Sequence, residues 1–195
     1  SHPEWLVKRW LQRWGADETE QLLKINNEPS PTIIRMNTLK TSKEEFQNIL
    51  ASQSVKATPT GRVPEAYYLE DFGGVEKLDL FQEGYFTVQD ESSQLVAHIL
   101  GVKPGERVLD ACSAPGGKTT HFAQFMRNQG EIIAVDIYPQ KLKLVEELAN
   151  RLGISIIKTV ESDARQLEGI AGTFDRILVD APCSGLGVIR RRADL

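Results

Sequence analysis

Two cysteines and four aspartates hold most of the reactive potential of this 195-residue chain. Cys183 lies in Asp180-Ala-Pro-Cys-Ser-Gly-Leu-Gly187. This thiol follows a sheet-edge carboxylate and lies in a glycine-flanked loop on the binding side, a setting for a reactive side chain. A lone cysteine is more often a small buried apolar residue, but the loop setting favours the reactive reading here. Cys112, inside Asp110-Ala-Cys-Ser-Ala-Pro-Gly-Gly-Lys-Thr-Thr120, reads as structural. The two cysteines stand 71 positions apart with no C-x-x-C pair. That excludes a disulfide scaffold and a cysteine zinc ribbon, and it suits a reducing cytoplasm. Asp110, Asp136, Asp163 and Asp180 each end, or closely follow, an apolar run that reads as a strand. One such carboxylate is an ordinary loop device; four on one sheet edge define a polar ligand site.

The loop after Asp110 narrows the ligand. Gly116 and Gly117 allow close backbone approach and positive φ before a helix whose free N–H groups then face a bound group. A Walker loop needs glycine six positions before its lysine, and six before Lys118 is Cys112. A dinucleotide fingerprint needs G-x-G-x-x-G, and these glycines are adjacent with no third. A nucleoside without phosphate remains, such as S-adenosylmethionine. Amides of the Gly116–Lys118 turn suit its carboxylate. Asp136 lies 20 residues beyond Gly116, the spacing of an acid that accepts from ribose hydroxyls. Asp163 is placed for the adenine edge, a role compatible with capping a helix over Ala164–Leu167.

These residues need a scaffold, and the pattern from Asp90 onward supplies one. Strands are predicted at Arg107–Ala111, Glu131–Asp136, Ser155–Val160 and Phe174–Asp180. Helices are predicted at Asp90–Leu100, Lys118–Arg127 and Pro139–Leu152. Alternation at this spacing means an α/β, doubly wound parallel sheet, whose ligands sit at the carboxyl ends of strands. Residues 31–90 read as a small α+β module. It has strands at Thr32–Asn37, Ala57–Thr60, Ala66–Glu70 and Tyr85–Gln89, and a helix from Ser42 to about Gln53 opened by a Ser42/Glu45 capping box. No cluster of His, Cys or paired carboxylates stands out in this part. Residues 1–30 form a helical linker, with helices at His2–Trp14 and Asp17–Asn26. Trp5, Leu6, Trp10, Leu11 and Trp14 share one stripe of the first helix, which packing on a neighbour explains.

Hydrophobic residues at 41% and charged residues at 26% exclude disorder. No apolar run approaches the roughly 20 residues of a membrane helix. Net charge is −4, so overall basicity gives no argument for nucleic acid. The imbalance is local: residues 1–100 sum to −5 and residues 101–195 to +1, with Arg190, Arg191 and Arg192 adjacent.

The motifs DACSAPGGKTT (110–120), VDIY (135–138), SDAR (162–165) and DAPCSGLGVIRRRADL (180–195) resemble the RNA (cytosine-5)-methyltransferases, most closely the bacterial Sun/Fmu-type 16S ribosomal RNA branch. HPEWLVKRW (2–10) and VQDESSQL (88–95) resemble the linker and pre-catalytic segments of that branch. The resemblance implies a Rossmann-like methyltransferase sheet, residues 91–195 and incomplete, after a small RNA-handling domain. It implies S-adenosylmethionine held by Cys112, Ser113, Ala114, Pro115, Gly116, Gly117, Lys118, Asp136, Asp163 and Asp180. It also implies methylation of carbon 5 of a cytosine through a cysteine-linked adduct, with Cys183 and Asp180 assisting and Cys183 serving product release. The attacking cysteine would lie beyond Leu195, so the chain is expected to be the inactive middle of a longer, cytoplasmic enzyme. Expected partners are 16S ribosomal RNA, with Arg190–Arg192 on phosphates, and neither metal nor membrane. A methyltransferase-fold RNA-binding module without turnover is the alternative. A nicotinamide oxidoreductase is opposed by the missing glycine.

Overall fold

The computed structural model describes residues 2–70, 72–167, 170 and 172–191. Contacts divide the chain into two units. One is Ser1–Pro31 with Pro182–Leu195, and the other is Thr32–Ala181.

In the first unit, α1 spans Glu4–Asn27 and is broken at Gly15 (φ 79°, ψ −176°), where the sequence predicts a gap between two helices. The break lets the two arms pack: Leu6 and Trp10 bury against Leu22, Leu23 and Ile189. The predicted stripe is only partly inward. Trp5 is 58% exposed and Trp14 42%, because Leu6 and Trp10, one turn apart, already fill the contact.

The second unit carries two sheets. The first uses β1 (Thr32–Met36), α2 (Lys43–Ser52), β2 (Lys56–Pro59), β3 (Ala66–Glu70), α3 (Asp79–Gln82) and β4 (Phe86–Val88). Its order β2-β3-β1-β4 is antiparallel throughout. This is the split βαβ arrangement, β3 lying between β1 and β2. The capping box forms as predicted, with the Ser42 hydroxyl accepting from Glu45 N and Glu45 reaching back. Ile34, Met36, Phe46, Tyr67 and Phe86 make its core. The four-residue α3, absent from the sequence reading, buries only Leu80 and is too short to show a helical period.

The second sheet uses α4 (Glu91–Leu100), β5 (Arg107–Asp110), α5 (Gly117–Phe125), β6 (Glu131–Asp136), α6 (Pro139–Leu152), β7 (Ile157–Glu161) and β8 (Arg176–Leu178). Its order is β7-β6-β5-β8, all parallel. The chain therefore builds outward on one side of β5, then returns to the other. That reversal puts the ligand crevice beyond the carboxyl end of β5. β8 is shorter than the predicted Phe174–Asp180, since among the described residues it pairs with β5 alone. Val108, Phe122, Met126, Ile132 and Leu152 close the core under α5 and α6.

The two sheets of this unit meet through a polar joint. Asn37 donates to the carbonyls of Gly84 and Leu152, both at 2.9 Å, and accepts from Leu39 N and Gln124 Nε2 at 3.1 and 2.9 Å. All its hydrogen-bonding capacity is used. Arg151 donates to the carbonyls of Phe81 (2.5 Å) and Phe86 (3.0 Å) and lies over the Phe81 ring.

Candidate cofactor site

β5 delivers Asp110 to the switch point, and residues 111–116 turn the chain into α5. Ser113 pins this loop to the end of β6: its amide and hydroxyl both donate to Val135 O, at 2.8 and 3.0 Å. The Ala114–Pro115 peptide is cis. Gly116 has φ 100°, and a Cβ there would lie 3.1 Å from Val145 Cα, so glycine is required twice over. Gly117 does not share this need. It is the first helical residue, and its Cβ would come no nearer than 3.7 Å to Gln89. Beyond it, the first turn of α5 offers amides with no intrahelical acceptor.

The four strand-end carboxylates come together. Cys112, half-buried, has its thiol pushed up first by burial and then by Asp110, Asp136, Asp180 and Asp163. It therefore stays protonated, in keeping with a structural cysteine. Asp110 is 1% exposed and accepts from the Thr119 hydroxyl at 2.7 Å, while its Oδ1 has no hydrogen-bond partner among the described residues. Burial raises its pKa to about 6 against that hydrogen bond, the Cys112 amide and Lys118. Lys118 forms an ion pair with Asp180 across the loop. Asp136 Oδ1 accepts from Tyr138 N at 3.0 Å, which fixes the carboxylate at the head of α6. Asp163 is held down to about 2 by hydrogen bonds from the Arg165 side chain and amide. It closes a turn at Arg165 N (2.9 Å); Ala164–Leu167 is not helical, so the helix-cap expectation is replaced by an Asx-type turn.

The remaining predicted residues lie in the first unit. Cys183 is exposed, with the Gly185 amide 3.5 Å from its sulfur. Arg190 donates to the carbonyls of Glu28 and Pro29 at 3.3 and 3.0 Å. Arg191 reaches Ser30 Oγ and Pro31 O at 3.2 and 3.3 Å. Arg192 falls outside the described residues.

One cluster escaped the sequence reading. Glu65 Oε1 meets His121 Nε2 at 2.7 Å and His98 Nε2 at 2.8 Å. Glu65 lies in the small α+β part and both histidines lie beyond residue 90, so nothing local signals the cluster. Burial would raise Glu65, but His121 and His98 outweigh it and bring it to about 2. Burial, with Arg35 nearby, lowers His121 to about 3. The three donor atoms lie within 4.8 Å of one another, a spacing a metal could use. The 2.7 and 2.8 Å separations are those of hydrogen bonds, however, and Arg35 already supplies the positive charge opposite Glu65. The arrangement is a hydrogen-bonded tie between the start of β3, α4 and α5.

The parallel β7-β6-β5-β8 sheet with a switch-point loop after β5 is the Rossmann-like arrangement of the S-adenosylmethionine-dependent methyltransferase class. Residues 97–195 match the family described as 16S rRNA methyltransferase RsmB/F, and residues 2–76 match the ferredoxin-like domain of RsmF/B-like methyltransferases. The chain belongs to the 16S rRNA methyltransferase RsmB/F family. It is 42% identical to the probable ribosomal RNA small subunit methyltransferase B of Bacillus subtilis, matching over 100% of this chain and 44% of that protein. A crystal structure of a methyltransferase homolog from Pyrococcus horikoshii superposes with TM-score 0.87 at 32% identity, covering 98% of this chain and 63% of the other. NSun6 from Pyrococcus horikoshii, solved with SFG, superposes with TM-score 0.85 at 26% identity, covering 95% and 72%. The chain thus spans less than half of the curated relatives' length. No helix among the described residues is long and apolar enough to cross a membrane.

Proposed function

We propose that this chain is the cofactor-binding part of a cytoplasmic enzyme that methylates carbon 5 of a cytosine in 16S ribosomal RNA. The observation that carries the reading is the convergence of four carboxylates on the Asp110–Lys118 loop. The residues present fit S-adenosylmethionine. First-turn amides of α5 suit its carboxylate, the unpartnered Asp110 Oδ1 marks a buried acceptor beside them, and Asp136 suits a ribose diol. Cys112, Ser113, Ala114 and Pro115 wall the loop, Asp163 meets the adenine edge, and Asp180, tied to Lys118, closes the far side. When bound, the cofactor supplies an electrophilic sulfonium methyl.

Cytosine carbon 5 is a weak nucleophile, which is why a thiol is needed. A thiolate from a cysteine beyond Leu195 adds to carbon 6 and makes carbon 5 nucleophilic. After methylation a base removes the carbon 5 proton and the thiol is expelled, with Cys183 assisting that release. Arg190–Arg192 contact RNA phosphates as a local cluster of positive charge. The similarity to small-subunit ribosomal RNA methyltransferases supports the substrate.

Titration of the protein with S-adenosylmethionine and, separately, with NAD tests the cofactor. Saturable binding of the first alone is expected, and binding of NAD alone overturns the reading. In the complete enzyme, Cys183→Ala is expected to trap a slow-migrating protein–RNA adduct on a denaturing gel. Normal methylation with no adduct removes Cys183 from product release.

A further inference from the structure

The small antiparallel sheet sends one buried cation into the methyltransferase fold. Arg35, on β1, is 1% exposed. Its Nη1 donates to Gly117 O at 2.6 Å and to Gln89 Oε1, and its Nη2 donates to Thr120 Oγ1 at 3.0 Å. The Thr120 hydroxyl in turn donates to Gly116 O at 2.7 Å. Gly116 and Gly117 are the two residues at which the ligand loop becomes α5. Among the described residues, every hydrogen bond of this guanidinium therefore ends on that first turn, or on Gln89 packed against it.

We infer that Arg35 is a positioning residue for the cofactor: through Gly117 O and Thr120 Oγ1 it sets the direction of the α5 amides that receive the ligand's carboxylate. This rests on the S-adenosylmethionine reading above. A carbonyl pinned by a guanidinium cannot tilt freely, and the peptide whose oxygen it holds carries the Lys118 amide at its other end. The Gly117–Lys118 peptide plane is thus fixed by a residue of the other sheet. A planar two-nitrogen fork can grip two such acceptors at once; a lysine ammonium on a flexible stem cannot reproduce the geometry. The bonds also place a fixed positive charge behind amides that already favour an anion. The small sheet would then act on the cofactor site without touching the ligand.

The test uses Thr120→Val, Thr120→Ser and Arg35→Lys, with calorimetric titration of S-adenosylmethionine, thermal unfolding, and amide NMR of Gly117, Lys118 and Thr119. Thr120→Val keeps the side chain's shape but removes both the acceptor for Arg35 and the bond to Gly116. It is expected to raise Kd about tenfold, the scale of one charge-assisted hydrogen bond, and to shift the three amides. Thr120→Ser keeps both bonds and is expected to stay within about twofold of the parent. Arg35→Lys is expected to raise Kd like Thr120→Val, and the double variant to add little, because both break one linkage. Folded Thr120→Val with the parental Kd and unmoved amides overturns the inference. If Arg35→Lys does not fold, the valine and serine pair decides alone. A parent that folds but does not bind S-adenosylmethionine refutes the cofactor reading instead, and the amide shifts in Thr120→Val then decide whether Arg35 sets the first turn.

Discussion

Asp110→Asn isolates the electrostatic cost of the switch point. In the folded protein the carboxyl titrates near 6, against an ordinary value of 3.8, because burial penalises its charged form. A folded pKa above the unfolded one means that the folded state holds its proton more tightly. Its contribution is fully present below about pH 4 and is lost as pH rises through about 6. The interval corresponds to about 3 kcal/mol. An asparagine of the same shape cannot ionise, so the variant escapes this loss. It introduces an amide that needs its own partner, which offsets its stability by a constant amount at every pH. The measurable quantity is therefore the change with pH of the stability difference between variant and parent.

That difference is needed because other groups pull the parent's curve the opposite way. His121 titrates near 3 instead of 6.5, so the unfolded chain takes the proton first and stability falls as pH drops through that range. Glu65, near 2 instead of 4.5, acts in the same sense at lower pH. Both are unchanged in Asp110→Asn and cancel on subtraction. Urea unfolding followed by circular dichroism, at intervals from pH 4 to pH 7.5, is expected to show the difference moving about 2–2.5 kcal/mol in the variant's favour, most of the full interval. A difference that stays flat refutes the argument, since it would mean that Asp110 ionises as easily in the folded protein as in water.

Asp136→Ala is expected to weaken S-adenosylmethionine binding by about 1–3 kcal/mol, the cost of leaving ribose hydroxyls unpaired, and unchanged affinity by calorimetry removes the ribose assignment. Gly116→Ala is expected to cost about 1–3 kcal/mol through its positive φ and its contact with Val145, whereas Gly117→Ala stays within about 1 kcal/mol. Equal unfolding midpoints for these two variants contradict the loop geometry. Glu65→Gln is expected to destabilise by about 1–3 kcal/mol at pH 7, since two ring N–H groups lose their shared charged acceptor. Its deficit should shrink as pH falls from 4.5 towards 2, where the parent's own carboxylate is protonated; a deficit that grows with acid contradicts the ionised assignment.

What the sequence shows well is whatever a few adjacent residues decide among themselves. The Ser42/Glu45 box closes within four residues, Gly116 answers a backbone angle, and an aspartate at a strand end needs only its strand to place it. The alternation of strands and helices after Asp90 then forces the parallel sheet and its switch point. β8 shows where this stops. Phe174–Asp180 reads as a strand throughout, but strand length depends on neighbours, and only Arg176–Leu178 has one among the described residues. Asp163 shows it again, since a bidentate Arg165 two residues on makes a turn where the cap pattern suggests a helix.

Arg35 marks the limit most sharply. In Thr32-Ile-Ile-Arg-Met36, a charged residue within an apolar strand suggests a face open to solvent. Ile34 and Met36 do enter the core of the small sheet. Arg35, on the opposite face, is nevertheless as buried as they are. What makes that tolerable is a set of acceptors on Gly117 and Thr120, 82 and 85 residues away, with the Glu65 carboxylate offsetting its charge. A buried guanidinium without them would cost several kcal/mol. The charge therefore makes sense only once both sheets are folded, and for the same reason it couples them: any change that loosens the α5 turn also strands the cation.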